Sequence, residues 1–227
     1  MSSLVSPETL DALRKVDSAT VSNAIEPLKV RDRTEGYTPW ELKCQFPDLG
    51  PMVGYAVTVT AKSTEPGPRD QTKLLEVFDA IAAVDGPVVV VYQNVGVDVS
   101  RSCFVGDNMC SAFSRLGAVG VATDGGFRDP TGIREHAPGF QIFSPGLVVS
   151  HGNGVHVDIN VPVSIFGLDV EPGDLLHGDE NGLVKVPIDV ADAVLDEVKK
   201  VVENERGRLD YTKRDDFTLE GLKKLYR

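Results

Sequence analysis

Asp107, Arg128 and Asp129 are the residues whose types and spacing suggest chemistry: an acid, twenty intervening residues, then an adjacent arginine and acid. Two carboxylates brought together by a strand–helix–strand unit could hold a hard divalent cation, one directly and one through a bound water. Arg128 could fork onto a substrate carboxylate or steady a developing oxyanion. The plain alternative is that Asp107 only caps a helix while Arg128-Asp129 form a surface turn, and spacing alone does not decide between the two.

The stretch Val105 to Asp129 must position them. It reads as a strand end, a glycine turn, a helix, a buried strand and a second glycine turn. Gly106-Asp107-Asn108 opens the helix, so backbone N–H groups and the positive dipole end face whatever binds there. The run Ala118 to Ala122 is short, apolar and flanked by glycines, as expected of a buried strand. Loops at the carboxyl ends of such strands are where open α/β proteins place ligands. Gly125-Gly126 gives close backbone approach at a tight turn. Asp124 before it either braces the turn or touches ligand. Together these features predict a site for a small carboxylate and a metal ion.

Elsewhere the pattern is of strands alternating with helices up to residue 122, then mostly strands. Ser6-Pro7 starts a first helix, and Asp17 to Thr20 start a second that Pro27 stops. Residues 28–52 form a long excursion with Trp40 and Phe46 as apolar anchors, the kind of loop that has a task or a partner. Gly54–Ala61 and Val88–Tyr92 are strands, Leu74–Ala83 is a helix, and Ser63–Arg69 is a Pro/Gly loop between them. Thr131–Glu135 is a short helix, and Phe140–Phe143, Val155–Val163 and Val184–Val186 are strands. Val170–Asp174 and Gly178–Gly182 carry hairpin-type turn signals. Val190–Arg208 is an amphipathic helix, and Tyr211–Arg227 contains one more short helix. The expectation is a mixed sheet sandwiched against helices in a single domain, residues 1–227.

A net charge of −11 with no Lys/Arg cluster argues against nucleic acid or an anionic membrane surface as partner. No apolar run approaches the roughly 20 residues that span a bilayer. Three cysteines without metal-type spacing, and no signal peptide, suggest a cytoplasmic protein with reduced thiols. Cys110, early in the central helix, is expected to pack rather than react, since no partner base adjoins it.

The stretches TVSNAIE, GYAVTV, GDNMCSAFSRLGAVGVATDGGFRD and VEPGDLLHGDENGLVKVP resemble the RraA-like family, over roughly residues 15–205, leaving 206–227 as a C-terminal extension. That family includes class II, metal-dependent aldolases for 4-hydroxy-4-methyl-2-oxoglutarate and 4-carboxy-4-hydroxy-2-oxoadipate, and also the regulator of ribonuclease activity. The resemblance implies an α/β fold of the swivelling β/β/α sandwich type. It also implies homotrimers or hexamers with N- and C-terminal helices and active sites at subunit interfaces. By the same resemblance Asp129 ligates Mg²⁺ or Mn²⁺ and Asp107 holds a metal-bound water. Arg128 contacts substrate near the bond-breaking carbon, and N–H groups around Gly106, Asn108 and Met109 take the pyruvyl carboxylate.

The implied reaction is retro-aldol cleavage of a 4-hydroxy-2-oxo acid to pyruvate. Oxaloacetate decarboxylation passes through the same enolate and is an expected second activity. The alternative is a non-catalytic regulatory binding protein; a methyltransferase is disfavoured, since no glycine-rich nucleotide loop follows the first strand. The chain departs from the family at Gly132, where many members carry a further acid, the nearest here being Glu135. Glu35 or Glu41 and Glu203 or Glu205 are candidates for acids lent to a neighbouring subunit. Ser150-His151-Gly152-Asn153 lies where aldolases place a substrate-binding lysine, which makes His151 a substrate-binding candidate. His156, five residues on in a strand-like stretch, is expected to point to the opposite face, and His177 is expected in a turn. Glu203–Arg208 reads as a solvated helix face.

Overall fold

The computed structural model describes residues 5–68 and 71–226. Arg69 and Arg227, which end two of the segments read above, lie outside the described residues. Helix α1 (Pro7–Leu13) starts where Ser6 accepts a hydrogen bond from the Thr9 amide, and α2 (Ser18–Ile25) where Asp17 accepts one from Thr20. The excursion contains only a two-residue strand, β1 (Lys43–Cys44), besides short turns. Phe46 is buried as expected, but Trp40 is 80% exposed and anchors nothing within this chain.

The frame is the eleven-residue strand β2 (Met52–Lys62), buried along almost its whole length. After it come α3 (Thr72–Ala82), β3 (Val88–Asn94), β4 (Cys103–Val105), α4 (Asp107–Arg115), β5 (Ala118–Thr123), β6 (Gly126–Phe127), α5 (Pro130–His136) and β7 (Gln141–Ser144). Then follow β8 (Val155–Ile159), β9 (Val163–Ile165), β10 (Leu168–Val170), β11 (Leu175–Asp179), β12 (Gly182–Val186), α6 (Ala191–Thr212) and α7 (Leu219–Lys224). The main sheet runs β1-β7-β5-β3-β2-β11-β12, and β8 shares the β11 edge of β2. Its centre is parallel (β2, β3, β5, β7) and its flanks antiparallel, hence mixed as expected.

Alternation along β2 sends its side chains into three apolar clusters. Val57, Val59 and Ala61 pack under α3 and α4; Met52 and Ala56 face β9 and β10; Val53 and Tyr55 lie beneath α1, α2 and α6. The inner faces of the terminal helices are thus covered by their own chain. Among the described residues, no helix is long and apolar enough to cross a membrane.

Two expectations need correction and a third is narrowed. The strand expected over Val155–Val163 breaks at Asn160, which adopts a left-handed backbone (φ 54°), so β8 and β9 join different sheets. The hairpin turn signalled over Gly178–Gly182 is present but narrower: Gly178 and Asp179 belong to β11, and the turn is Glu180-Asn181, closed by the Asp179–Gly182 pairing. His177 is therefore not in a turn: it is a fully buried strand residue whose Nε2 lies 3.0 Å from the carbonyls of both Leu13 and Val16.

Candidate functional site

The convergence of Asp107 with Arg128-Asp129 comes from two very short strands. β4 and β6 pair in parallel, Cys103 with Gly126 and Val105 with Phe127, and the Arg128 amide donates to the Val105 carbonyl at 3.1 Å. Residues that follow each strand must then lie side by side: Gly106-Asp107 after one, Arg128-Asp129 after the other. The glycines permit the approach. A Cβ at Gly125 would press on the Phe104 ring and one at Gly126 on Val148, while one at Gly106 would meet Arg128 Cγ and Asp129 Oδ2, each at 3.0 Å. Residues 146–148 extend the same parallel arrangement, since Phe127 donates to the Gly146 carbonyl and Val148 to that of Phe127. This brings the following residues, including His151, to the same rim.

Helix α4 opens on Gly106, in extended conformation and with no side chain to cap the turn. The carboxylate of Asp107 accepts from the Asn108 amide (2.7 Å) and from Asn108 Nδ2 (3.1 Å), both on Oδ1. Of the amides expected to receive a carboxylate, that of Asn108 is thus engaged by its neighbour. Asp107 also lies against α5, where a Cβ on Gly132 would stand 2.7 Å from Oδ2. An acid at position 132 would contest the space Asp107 occupies, which gives the departure at Gly132 a physical reason.

Asp129 precedes α5 but does not cap it, and its backbone is left-handed (φ 58°, ψ 48°). Such a conformation costs a non-glycine residue of order 1 kcal/mol, though Asp bears it better than most. Its Oδ2 is 3.3 Å from Arg128 Nε, and both side chains are a little over one third exposed.

Asp107 and Arg128 edge a cleft of about 320 Å³, lined also by the rest of Cys103 to Met109, by Gln71 and His151, and by Gly154 to His156, with Asp129 just outside this lining. That volume suits a small organic acid. His156 does not turn away from His151, because residues 151–154 form a turn that resets the strand alternation, and both rings wall the cleft. Nε2 of His156 is 3.1 Å from the hydroxyl of Tyr92, a fully buried ring stacked on Phe104. Sequence reasoning missed Tyr92, Gln71 and the cleft-facing side of His156. The Gly152-Asn153-Gly154 run was the available signal for His156.

Other candidates fall elsewhere. Burial raises the Cys110 thiol well above its ordinary range, and that of Cys103 to about 11 despite the nearby Arg128, so both are neutral thiols. Asp124 braces the turn: its Oδ1 accepts from the Asn94 amide at 2.7 Å, and burial pushes its carboxyl up to about 6. Glu35 edges a separate cleft beside Arg31 and Lys185. Glu203 and Glu205 are exposed on α6, whose residues 203–207 form a solvated face.

Among the described residues, no three His, Cys, Asp or Glu side chains form a metal-holding group. Asp129 and Asp107 nevertheless fit a hard cation of the Mg²⁺ or Mn²⁺ kind. Such an ion takes one or two carboxylates and fills its remaining positions with water and substrate oxygens. Asp129 is withheld from its own helix and Asp107 keeps Oδ2 outside its pairing with Asn108, so oxygen donors remain on both.

A family model described as RraA-like, Aldolase/RraA, matches residues 18–185. The chain is 30% identical over 89 residues to a 4-hydroxy-4-methyl-2-oxoglutarate aldolase of Thermus thermophilus, covering 38% of this chain and 52% of that one. It thus spans about half the length of the curated relatives bearing that activity in their names. An uncharacterised protein of Pseudomonas syringae pv. tomato superposes with a TM-score of 0.75 at 26% identity, covering 98% of this chain and 96% of that one. RraAS2 of Streptomyces coelicolor, from the RNase ES inhibitor RraA family, superposes at 0.67 with 24% identity over 94% and 100%, a likeness of fold.

Proposed function

The chain belongs to the RraA-like family, and from that premise we propose that it is a divalent-metal-dependent lyase cleaving a 4-hydroxy-2-oxo acid to pyruvate. One observation carries the reading: the β4–β6 pairing sets Asp107 beside Arg128-Asp129, and Asp107 and Arg128 line an acid-sized cleft. The aldolase name of the Thermus relative points the same way.

In this reading the opening of α4 receives the C1 carboxylate of the substrate, drawn by the helix dipole and the amides of Gly106 and Met109. Asn108 fixes Asp107 by two hydrogen bonds, so its other oxygen is aimed without reorganisation. Arg128 meets the C4 oxygen and steadies the charge there as the C3–C4 bond breaks. The bond's electron pair passes to C3, giving the enolate of pyruvate. Asp129 and Asp107 would hold Mg²⁺ or Mn²⁺, which when bound would supply Lewis acidity for the developing negative charge. His151 lines the cleft where the distal part of the substrate lies. Acids from neighbouring copies in a trimer or hexamer complete the site.

The test is coupled pyruvate release from 4-hydroxy-4-methyl-2-oxoglutarate and from oxaloacetate, with Mg²⁺ or Mn²⁺ and then with EDTA. Metal-dependent pyruvate from either substrate, abolished by EDTA, is expected. Silence on both with folded, metal-loaded protein would remove the lyase and favour a regulatory binding protein.

A further inference from the structure

Fixed charge is confined to one part of the cleft. Among the described residues that line it, Asp107 is the one carboxylate and Arg128 the one guanidinium or ammonium. The Cys103 thiol is neutral. With C1 of the substrate at the opening of α4 and its C4 oxygen at Arg128, the lining left for atoms beyond C4 is Gln71, His151 and Gly154 to His156. None of these carries a fixed charge. The lysines nearby are turned elsewhere: Lys73 Nζ donates to the Val157 carbonyl and lies 3.6 Å from Asp158, and the Lys62 side chain starts out beside Gly96.

His151 places a hydrogen-bond acceptor in this uncharged part. Its Nδ1 lies 2.7 Å from the Gly152 carbonyl oxygen, and a carbonyl can only accept. In the neutral ring Nδ1 therefore carries the hydrogen and Nε2 the lone pair. The turn that seats the ring is tight. Gly152 has φ 53° and packs so closely on the Ser63 carbonyl that no Cβ would fit. The Asn153 amide donates to Ser63 O and Asn153 Nδ2 to Glu65 O, each at 2.9 Å.

We propose that the cleft selects a 4-hydroxy-2-oxo acid with a single carboxylate and an uncharged, hydroxylated tail, one hydroxyl of which donates to Nε2 of His151. The proposal rests on the lyase reading above and makes His151 a specificity-determining residue. A tail carboxylate in the same place would meet the Nε2 lone pair without a hydrogen to give and without a fixed cation, and would lose hydration uncompensated. A hydroxyl gives its hydrogen to Nε2 and can accept one from the Gln71 amide. The net charge of −11, and acids lent by neighbouring copies, further disfavour a second negative charge on the substrate. Cleavage of such an acid breaks C3–C4 and turns the C4 hydroxyl into the carbonyl of a hydroxyaldehyde. C3 gains one proton and becomes the methyl group of pyruvate, so atoms and electrons balance with no further reactant.

A length-matched pair tests this at pH 8, where an imidazole is ordinarily neutral: 4,5,6-trihydroxy-2-oxohexanoate against 4-hydroxy-2-oxoadipate, each as its mixture of epimers. Coupled pyruvate release should give a kcat/KM at least about tenfold higher for the trihydroxy acid, since a polar group left unmatched is what rejects the wrong tail. His151→Lys puts a cation where the lone pair was. It should move that ratio at least about thirtyfold toward the dicarboxylate, raising kcat/KM for the dicarboxylate above wild type, with thermal unfolding reporting the fold. A wild type that prefers the dicarboxylate, or a ratio unmoved by His151→Lys, would overturn the selectivity and leave the lyase standing. So would cleavage of neither acid by a protein that still decarboxylates oxaloacetate. No pyruvate from any of the three substrates removes both readings. Independently of turnover, ¹⁵N spectra should show an Nδ1–H tautomer that disappears in His151→Lys; an Nε2–H tautomer would overturn the proposal.

Discussion

Replacing Gly132 by alanine sets two effects of known sign against each other. Gly132 lies in α5, where alanine should gain up to about 1 kcal/mol of helix propensity, less this close to the helix start. Its new Cβ, however, would stand 2.9 Å from Asp107 Cβ and 2.7 Å from its Oδ2. The carbon pair alone is about 0.6 Å inside the shortest comfortable separation of about 3.5 Å. Overpacking of that kind costs about 1–3 kcal/mol. The sum is a net destabilisation of about 0–2 kcal/mol, with relief available chiefly by moving the Asp107 carboxylate. A displacement approaching 1 Å at a group that organises the reaction can cost on the order of 100-fold in rate. The assay is paired: kcat/KM for pyruvate release, and the urea midpoint compared with that of Gly207→Ala. Position 207, in α6, has nothing within 4 Å and isolates the propensity gain. A Gly132→Ala protein with the same gain as Gly207→Ala and undiminished turnover would refute the contact between Asp107 and α5.

Asp129→Asn should keep the left-handed backbone, which asparagine also tolerates, hold the urea midpoint within about 0.5 kcal/mol and lower turnover at least about 100-fold; normal turnover would remove Asp129 from the reaction. His177 gives a pH dependence of definite sign. Burial lowers its folded pKa below the ordinary value of 6.5, outweighing the Leu13 and Val16 carbonyls and the nearby Asp179 and Asp17. The unfolded chain then binds more protons than the folded one just below pH 6.5, so its contribution is present above that value and lost on acidification. His177→Gln should reduce the drop in urea midpoint between pH 7 and roughly 5.5; an equal drop in both proteins would count against it. Asp124, held up at about 6, titrates with the opposite sign in both proteins and cancels in the comparison.

The elements legible in the sequence were those whose own residues determine them. β2, β3 and β5 are β-branched and bounded by turn residues, and α1 and α2 carry their caps in plain view. What hid was set by partners distant in the chain. β4 and β6 are three and two residues long, too short for any periodicity, yet their pairing assembles the site. His156 defeated a parity argument because the preceding turn restarts the alternation. His177 was masked by Gly178-Asp179, a pair that looks like a turn and here runs straight through a buried strand. Trp40 read as an apolar anchor of the excursion, but it stands exposed. Gly132 was visible as a departure, and its reason became clear only from the position of Asp107.

The separation of the apolar clusters along β2 has a further consequence for how the parts of the molecule are coupled. The cluster joining Leu10, Leu13, Val21 and Ile25 to Val184, Val194 and Val198 links the two ends of the chain. It cannot form until the segment around residues 175–198 has been made, so its helices are late to dock during synthesis. Every wall of the cleft, by contrast, lies between Ala61 and His156 and rests on a different cluster. The terminal helices and the cleft therefore rest on separate apolar clusters that share β2, so a change in one reaches the other chiefly through that strand.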